Sequence, residues 1–137
     1  MSDRGRATTT RHAARTTAPD RVIERYRSLF GADHGVVPSA VADVFTPDAR
    51  VESAALGEPS IGHAAIVERV HLIRTALEGA SARAVTEVEW VHRTARWCWT
   101  WHGPSGSHRG MDVARLAARD DRIELLVVFT GLLPPPA

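Results

Sequence analysis

The chain has 137 residues and a mass of 14.9 kDa, enough for one domain with a single core. Its 44% hydrophobic and 24% charged residues exclude collagen-like, coiled-coil and mainly disordered chains. The net charge of +1 gives no general attraction to nucleic acid or to anionic membranes. Every basic residue is arginine, which excludes lysine Schiff-base chemistry, and the single cysteine, Cys98, can form no internal disulfide.

Residues 1–18 are basic and contain no large apolar side chain beyond the initial methionine. A secretory signal would need about seven or more consecutive apolar residues after its basic start, and none follow. We therefore expect a disordered tail over 1–18, a folded domain over 19–133 and a short tail over 134–137. No segment is long and apolar enough to span a membrane, so we expect a cytoplasmic protein.

The first half of the chain predicts helices. Ile23, Tyr26 and Leu29 recur at helical spacing, and Gly31 ends that pattern. Before residue 80, helices are predicted at 19–30, 38–45 and 61–79. One short strand is predicted at 50–54, after a turn at 46–49.

The second half predicts an antiparallel sheet. Four strands are predicted, at 83–92, 95–102, 108–118 and 122–130, with turns at 103–106 and 120–121. Helices followed by antiparallel strands are typical of α+β proteins. The predicted fold is a conical α+β barrel, with three N-terminal helices packed on one face of a curved, mostly antiparallel sheet. The mouth of such a cone is a natural small-molecule pocket.

Three tryptophans alternate along one predicted strand. Trp97, Trp99 and Trp101 therefore share one face of the sheet, and Cys98 lies on the other. Three indoles on one face form an aromatic wall, because each indole offers a large flat surface and one N–H donor. The wall fits a ligand cavity and a core or dimer contact about equally well.

Three titratable residues are candidates for proton chemistry. Asp112 shares its strand face with the small residues Gly110 and Ala114, where burial would raise its pKa and let the neutral acid donate to an oxyanion; an aspartate at an exposed edge is the alternative. Tyr26 lies on the apolar stripe of the first helix, either as a core residue or as a second oxyanion donor. His34 follows that helix, either in a solvated turn or as a base at the pocket rim.

Cofactor motifs are absent from the sequence. The seven histidines lack metal-ligand spacing. No glycine-rich phosphate loop and no nucleophile elbow is present. We therefore expect neither a metal nor another cofactor.

Two motifs resemble a known superfamily. The stretch 44–51, VFTPDARV, and the stretch 62–66, GHAAI, are similar to nuclear transport factor 2-like proteins, most of all to the SnoaL-like and ketosteroid-isomerase-like branch. The resemblance covers about residues 20–131. It implies the conical fold and a homodimer formed through the sheet, but specifies the reaction poorly.

The resemblance also implies roles for individual residues. Steroid isomerases of this branch use a tyrosine and a protonated aspartate as an oxyanion hole. The segment 24–26 resembles the one that carries that tyrosine, and 110–112 falls where that aspartate sits, which implicates Tyr26 and Asp112. The substrate-binding residues are then expected to be the three alternating tryptophans with Ser53, Phe30 and Phe129.

One position departs from the isomerase pattern. Ser53 follows Val51 and Glu52 where the isomerases carry their carboxylate base, and serine is not a competent base without a partner. The resemblance implies a cofactor-independent isomerase or cyclase that acts by general acid–base chemistry. His34 or His63 at the pocket rim is the candidate substitute base. The enzyme's substrate would be a flat apolar ketone or a polyketide-like molecule of bacterial secondary metabolism. The alternative is a non-catalytic protein of the same fold that binds a small aromatic or polycyclic ligand.

Overall fold

The computed structural model describes residues 17–76, 78, 81–84, 86–103 and 106–130. The tails predicted at 1–18 and 134–137 lie outside these residues, except that Thr17 and Ala18 open the first helix. None of the described helices is long and apolar enough to cross a bilayer.

Among the described residues, three α-helices precede most of the sheet, as predicted. They are α1 (Ala18–Ser28), α2 (Val37–Val44) and α3 (His63–Ala76). The Thr17 side chain accepts the Asp20 N–H at 3.2 Å and so caps α1. Short 3₁₀ turns at Leu29–Gly31 and His34–Val36 lead from α1 into α2.

In the part of the chain that the structure describes, seven strands form one sheet. They are β1 (Phe45–Ser53), β2 (Ser60–Ile61), β3 (Ser81–Ala84), β4 (Glu89–Val91), β5 (Thr94–Gly103), β6 (Gly106–Ala117) and β7 (Asp120–Thr130). The strand order is β2-β1-β7-β6-β5-β3, and β4 also pairs with β5. Only β1 and β7 are parallel among the described pairs, which confirms the α+β class and the mostly antiparallel sheet. No hydrogen bonds join the two ends of this order within the described residues, so the sheet is open.

The turn predicted at 46–49 is wrong, because these residues belong to β1. They form an irregularity in the pairing with β7, where the register shifts between Phe45 and Arg50. Tertiary contacts hold this segment in place: Gly62 N–H donates to the Ala49 carbonyl at 2.9 Å, and His63 Nε2 lies 2.8 Å from the Phe45 carbonyl. The turn-like sequence is thus accommodated within a strand.

Two further predicted boundaries are wrong. The strand predicted over 83–92 is divided into β3 and β4. The turn predicted at 120–121 lies at 118–119, and Asp120 already belongs to β7. Arg93 fixes this end of the sheet by donating to the carbonyl oxygens of Ala117 and Asp120.

The core lies between the three helices and the inner face of the sheet. Its largest fully buried side chains include Trp97, Phe45, Ile23, Leu29 and Ile66. The candidate site occupies one end of this core.

Candidate active site

Four neighbouring strands place one row of side chains across the inner face of the sheet. Asp112 of β6 pairs with Trp97 of β5 and with Val128 of β7, and Val128 pairs with Ser53 of β1. Residues opposite one another in adjacent strands project from the same face. Asp112 is therefore held in the middle of a rigid sheet and is 4% exposed.

The buried carboxyl of Asp112 has two hydrogen-bond donors. Trp99 Nε1 donates to Asp112 Oδ1 at 2.9 Å, and the Tyr26 hydroxyl donates to the same carboxyl group. Burial raises the pKa of Asp112 to about 7, although both hydrogen bonds act to lower it. The acid is therefore present in both protonation states near neutral pH.

Gly110 makes room for the Trp99 indole. A Cβ atom on Gly110 would lie 2.4 Å from Trp99 Cζ2 and 2.1 Å from the Phe129 carbonyl oxygen. Gly110 and Trp99 are opposite each other in β6 and β5. The missing side chain thus lets Trp99 lie over β6 and reach Asp112, two residues along that strand.

Tyr26 presents its hydroxyl from α1. Its ring makes edge contacts with Phe30, Phe45 and Trp97 at centroid distances of 5.5, 6.0 and 6.0 Å. Burial raises the pKa of Tyr26 well above its ordinary value, and the nearby charge of Asp112 raises it further. The phenol therefore stays protonated at neutral pH and serves as a hydrogen-bond donor.

A small cavity of about 30 Å³ opens beside Tyr26, between α1, α3 and the sheet. Its wall is mainly apolar, with three polar side chains. The lining residues are Tyr26, Phe30, Phe45, Val51, Ser53, Ile66, Arg69, Val70, Ile73, Leu126 and Val128. Asp112 is not among them, so it reaches the cavity through the Tyr26 hydroxyl.

Arg69 is a site residue that the sequence analysis missed. It is 5% exposed, and it donates from Nε to Ser60 Oγ at 2.8 Å and from Nη2 to the Glu58 carbonyl at 3.0 Å. Nη1 is buried and has no hydrogen-bond partner among the described residues. A sequence signal existed: Arg69 lies three residues after Ile66 and directly before Val70, on the apolar stripe of the third helix.

The site has no metal-ligand set. Across the part of the chain that the structure describes, no three His, Cys, Asp or Glu residues are grouped to hold a metal ion. What the arrangement offers is a neutral phenol donor, a carboxyl group that titrates near neutrality, and a buried cation.

Comparisons with known proteins identify the fold. No protein-family profile and no curated protein matches the chain. Among solved structures, a candidate isomerase of the SnoaL-like family from Agrobacterium tumefaciens superimposes with a TM-score of 0.73 at 18% identity, covering 85% of this chain and 99% of that one. This chain has the SnoaL-like, nuclear transport factor 2-like fold.

Two other structural neighbours carry functional names. A candidate polyketide cyclase from Sinorhizobium meliloti matches with a TM-score of 0.61 at 21% identity, over 82% of this chain and 99% of its own. A steroid delta-isomerase from Pseudomonas aeruginosa matches with a TM-score of 0.64 at 15% identity, over 89% and 84%. At these identities the likeness establishes the SnoaL-like fold and leaves the activity open.

The SnoaL-like fold brings most of the predicted site residues together. Tyr26, Phe30 and Ser53 line the cavity. Asp112 lies behind Tyr26, between Trp97 and Trp99.

Three predicted site residues lie neither in the cavity lining nor against Asp112. Trp101 packs edge-on against Phe30 at a centroid distance of 5.8 Å. His34 is exposed and stacks on His71 at 4.7 Å. Phe129 is 47% exposed and lies on the outer face of the sheet, because it alternates with the cavity residue Val128.

Proposed function

We propose that this chain is a cofactor-independent isomerase or cyclase that transfers protons on a flat, apolar ketone or polyketide-like molecule. The observation that carries the proposal is the pairing of Tyr26 with Asp112. Tyr26 faces the cavity, and the buried acid behind it has a pKa of about 7. Acids tuned close to the working pH are the most effective proton donors and acceptors.

The pair is arranged to stabilise negative charge on a substrate oxygen. When substrate binds, the Tyr26 hydroxyl turns from Asp112 and donates to the carbonyl oxygen, and protonated Asp112 then donates to the Tyr26 oxygen behind it. When the carbonyl becomes an enolate or an alkoxide, its charge falls on a chain of two donors that the fold has already oriented. The α-proton that leaves the carbon passes to water, the substrate oxygen takes a proton through Tyr26 from Asp112, and the ionised Asp112 recovers a proton from solvent.

The lack of a carboxylate base at position 53 limits the reactions that this site can catalyse. Ser53 lies on the inner face, and its Oγ accepts the Ala55 N–H at 3.2 Å, so the position offers no carboxylate. A steroid-type isomerisation needs a strong positioned base. A polyketide-like substrate has C–H groups between two carbonyls that lose a proton readily, so an acid for the carbonyl oxygen is the main requirement. This favours ring closure over isomerisation.

The mainly apolar wall of the cavity suits an apolar substrate, but the cavity volume is too small to hold one. Its volume of about 30 Å³ is smaller than an aromatic ring needs. The partly buried side chains of Phe30, Ile73 and Val128 form part of its wall. Binding of a ring-sized substrate therefore requires such side chains to change rotamer.

Hydrogen–deuterium exchange at carbon tests the proposal without knowledge of the natural substrate. The protein is mixed in D₂O with a panel of flat aromatic ketones and 1,3-diketones, and loss of the α-proton signal is followed by NMR. We expect saturable acceleration by the wild type and a loss of about 100-fold or more in Asp112→Asn. Tyr26→Phe should lose about 100-fold as well.

Asp48→Asn is the matched control, since Asp48 is an exposed aspartate of β1. It should exchange protons at the wild-type rate. Equal rates in the wild type and Asp112→Asn would contradict the assignment of the acid.

The second candidate function is ligand binding without turnover, and it is favoured by the serine at position 53. In that case the panel would quench tryptophan fluorescence in a saturable manner, because Trp97 contacts Tyr26 at the cavity. No member of the panel would exchange protons faster with the wild type than without it. Asp112→Asn would then change affinity alone.

A further inference from the structure

We infer that Arg69 forms an anion-binding subsite, so that the ligand of this cavity is an apolar molecule carrying a carboxylate. The inference rests on the proposed function in taking the cavity as the substrate site. Anion binding itself requires no turnover by Asp112 and Tyr26.

The first argument is the cost of burying Arg69. A guanidinium remains charged at every physiological pH, and a buried charge without a counter-ion is strongly destabilising. Arg69 is 5% exposed, yet its two hydrogen-bond acceptors, Ser60 Oγ and the Glu58 carbonyl, are neutral. No carboxylate of the described residues pairs with it. The fold therefore holds a cation whose counter-ion is not supplied by the described chain.

The second argument is the unused donor. Nη1 is buried and lacks a partner, whereas Nε and Nη2 fix the guanidinium to the segment 58–60. Buried donors in folded proteins are nearly always paired, so an orphan donor on a residue that lines the cavity points to a ligand acceptor. The two anchoring bonds hold the group in place before the ligand arrives, which reduces the entropy lost on binding.

The third argument is the position of Arg69 relative to the proton-transfer pair. Arg69 and Tyr26 line the same cavity. Burial raises the pKa of Tyr26, and the charge of Arg69 acts in the opposite direction and lowers that pKa. The remaining wall is apolar apart from Ser53. A ligand with its carboxylate on Arg69 and its carbonyl oxygen at Tyr26 would place its hydrocarbon body against that apolar wall.

A purely structural role for Arg69 makes a different prediction. In such a role, Nε and Nη2 hold the segment 58–60 against α3. The affinity of the cavity would then not depend on the charge of the ligand. The two readings separate when ligands of equal shape and different charge are compared.

Matched ligand pairs provide the test. Benzoate with benzamide, and 2-naphthoate with 2-naphthamide, are titrated into the full chain by calorimetry at pH 7. We expect each carboxylate to bind the wild type at least about 10-fold more tightly than its amide, as a charge-assisted hydrogen bond to Nη1 implies. In Arg69→Gln and Arg69→Met the preference should disappear while amide affinity changes little.

Arg74→Gln is the control, because Arg74 lies on the same helix, donates to the Leu29 carbonyl at 3.4 Å and does not line the cavity. It should keep the preference. Equal binding of acid and amide by the wild type would overturn the inference, as would absence of saturable binding by either carboxylate. A preference that survives in a folded Arg69 variant would overturn it too. Arg69→Met keeps the apolar stem and removes the buried charge, so it serves if Arg69→Gln does not fold.

Asp112→Asn separates this inference from the proposed function. It should retain the preference for carboxylates even though it loses proton exchange. A preference that depends on Arg69, with no exchange by the wild type, would leave the anion subsite standing and remove the catalytic proposal.

Discussion

The carboxyl group of Asp112 accepts hydrogen bonds from Trp99 and Tyr26, yet its pKa rises from an ordinary 3.8 to about 7 because burial penalises the charge more. The folded state therefore keeps this proton over a pH range in which the unfolded chain has lost it. Stability contributed by the neutral acid is complete below about pH 4 and is lost as the pH rises through 7. The loss amounts to at most about 4 kcal/mol, which is the free energy that corresponds to a pKa raised from 3.8 to about 7.

Replacing Asp112 with asparagine should remove this pH dependence. The amide resembles the neutral acid in shape and carries no charge, so the free energy of unfolding of Asp112→Asn should exceed that of the wild type above pH 7. The advantage should shrink steadily between pH 7 and pH 4. Urea unfolding at pH 4, 5, 6, 7 and 8, followed by tryptophan fluorescence, measures the difference.

The exposed Asp48→Asn serves again as the reference for a charge removed at the surface. A difference between Asp112→Asn and wild type that is constant with pH would show that Asp112 does not titrate in this range. Gain of stability together with loss of proton exchange would mark Asp112 as a residue retained for function at the expense of folding.

At the scale of elements, the pairing of β5 with β6 brings Trp99 next to Asp112. The absence of a side chain on Gly110 leaves room for this contact. Gly110→Ala would push a methyl group into the Trp99 ring and the Phe129 carbonyl. We expect a loss of about 1–3 kcal/mol in the free energy of unfolding, typical of overpacking, and a changed tryptophan emission. Displacing Trp99 also removes a hydrogen bond that lowers the pKa of Asp112, so that pKa should rise further.

Gly35→Ala is the control for Gly110→Ala, because no atom lies within 4 Å of a Cβ placed on Gly35. Both variants carry the same chemical change, and only one meets a neighbour. Similar unfolding free energies for the two would contradict the packing assigned to Gly110.

The sequence predicted the elements better than their pairing. Alternation along β5, β6 and β7 gave the antiparallel strands and the face of Asp112, because side chains alternate strictly in a strand. It could not reveal that β1 joins β7 in parallel, since that contact connects residues more than 70 positions apart. The turn-forming residues of 46–49 were misread because tertiary hydrogen bonds to Ala49 and Phe45 override local preference.

Some residues of the candidate site could be predicted from the sequence, and others could not. Tyr26 and Asp112 were predicted because family resemblance placed them and the sheet face agreed. Arg69 was not, because an arginine on an apolar stripe usually extends its head to solvent, and only the folded chain reveals the buried Nη1. His34 shows the reverse: its position after α1 suggested the pocket rim, whereas the 3₁₀ turn directs it towards His71.

At the scale of the whole molecule, the outer face of the sheet carries an apolar patch beside the exposed Arg96, which pairs with Val113. Cys98, Met111 and Phe129 are neighbours across β5, β6 and β7, and Val113 pairs with Val127 beside them. These side chains are half-buried or exposed, and Phe129 is 47% exposed. Such a patch favours self-association, so we expect Phe129 to lie at an interface and not against the substrate.

We therefore expect a homodimer formed by the outer faces of two sheets. Sedimentation at tens of micromolar should give twice the chain mass of 14.9 kDa for the wild type and the single mass for Phe129→Arg. Leu72→Arg, which changes an apolar residue that is 62% exposed on α3, should remain dimeric. A monomeric wild type, or a dimer untouched by Phe129→Arg, would refute this arrangement.

Met111 and Asp112 are adjacent in β6 but face opposite sides, so an interface on the outer face would also stiffen the strand that holds the acid. The monomeric variant should then lose part of its proton exchange although Phe129 lies away from the cavity lining.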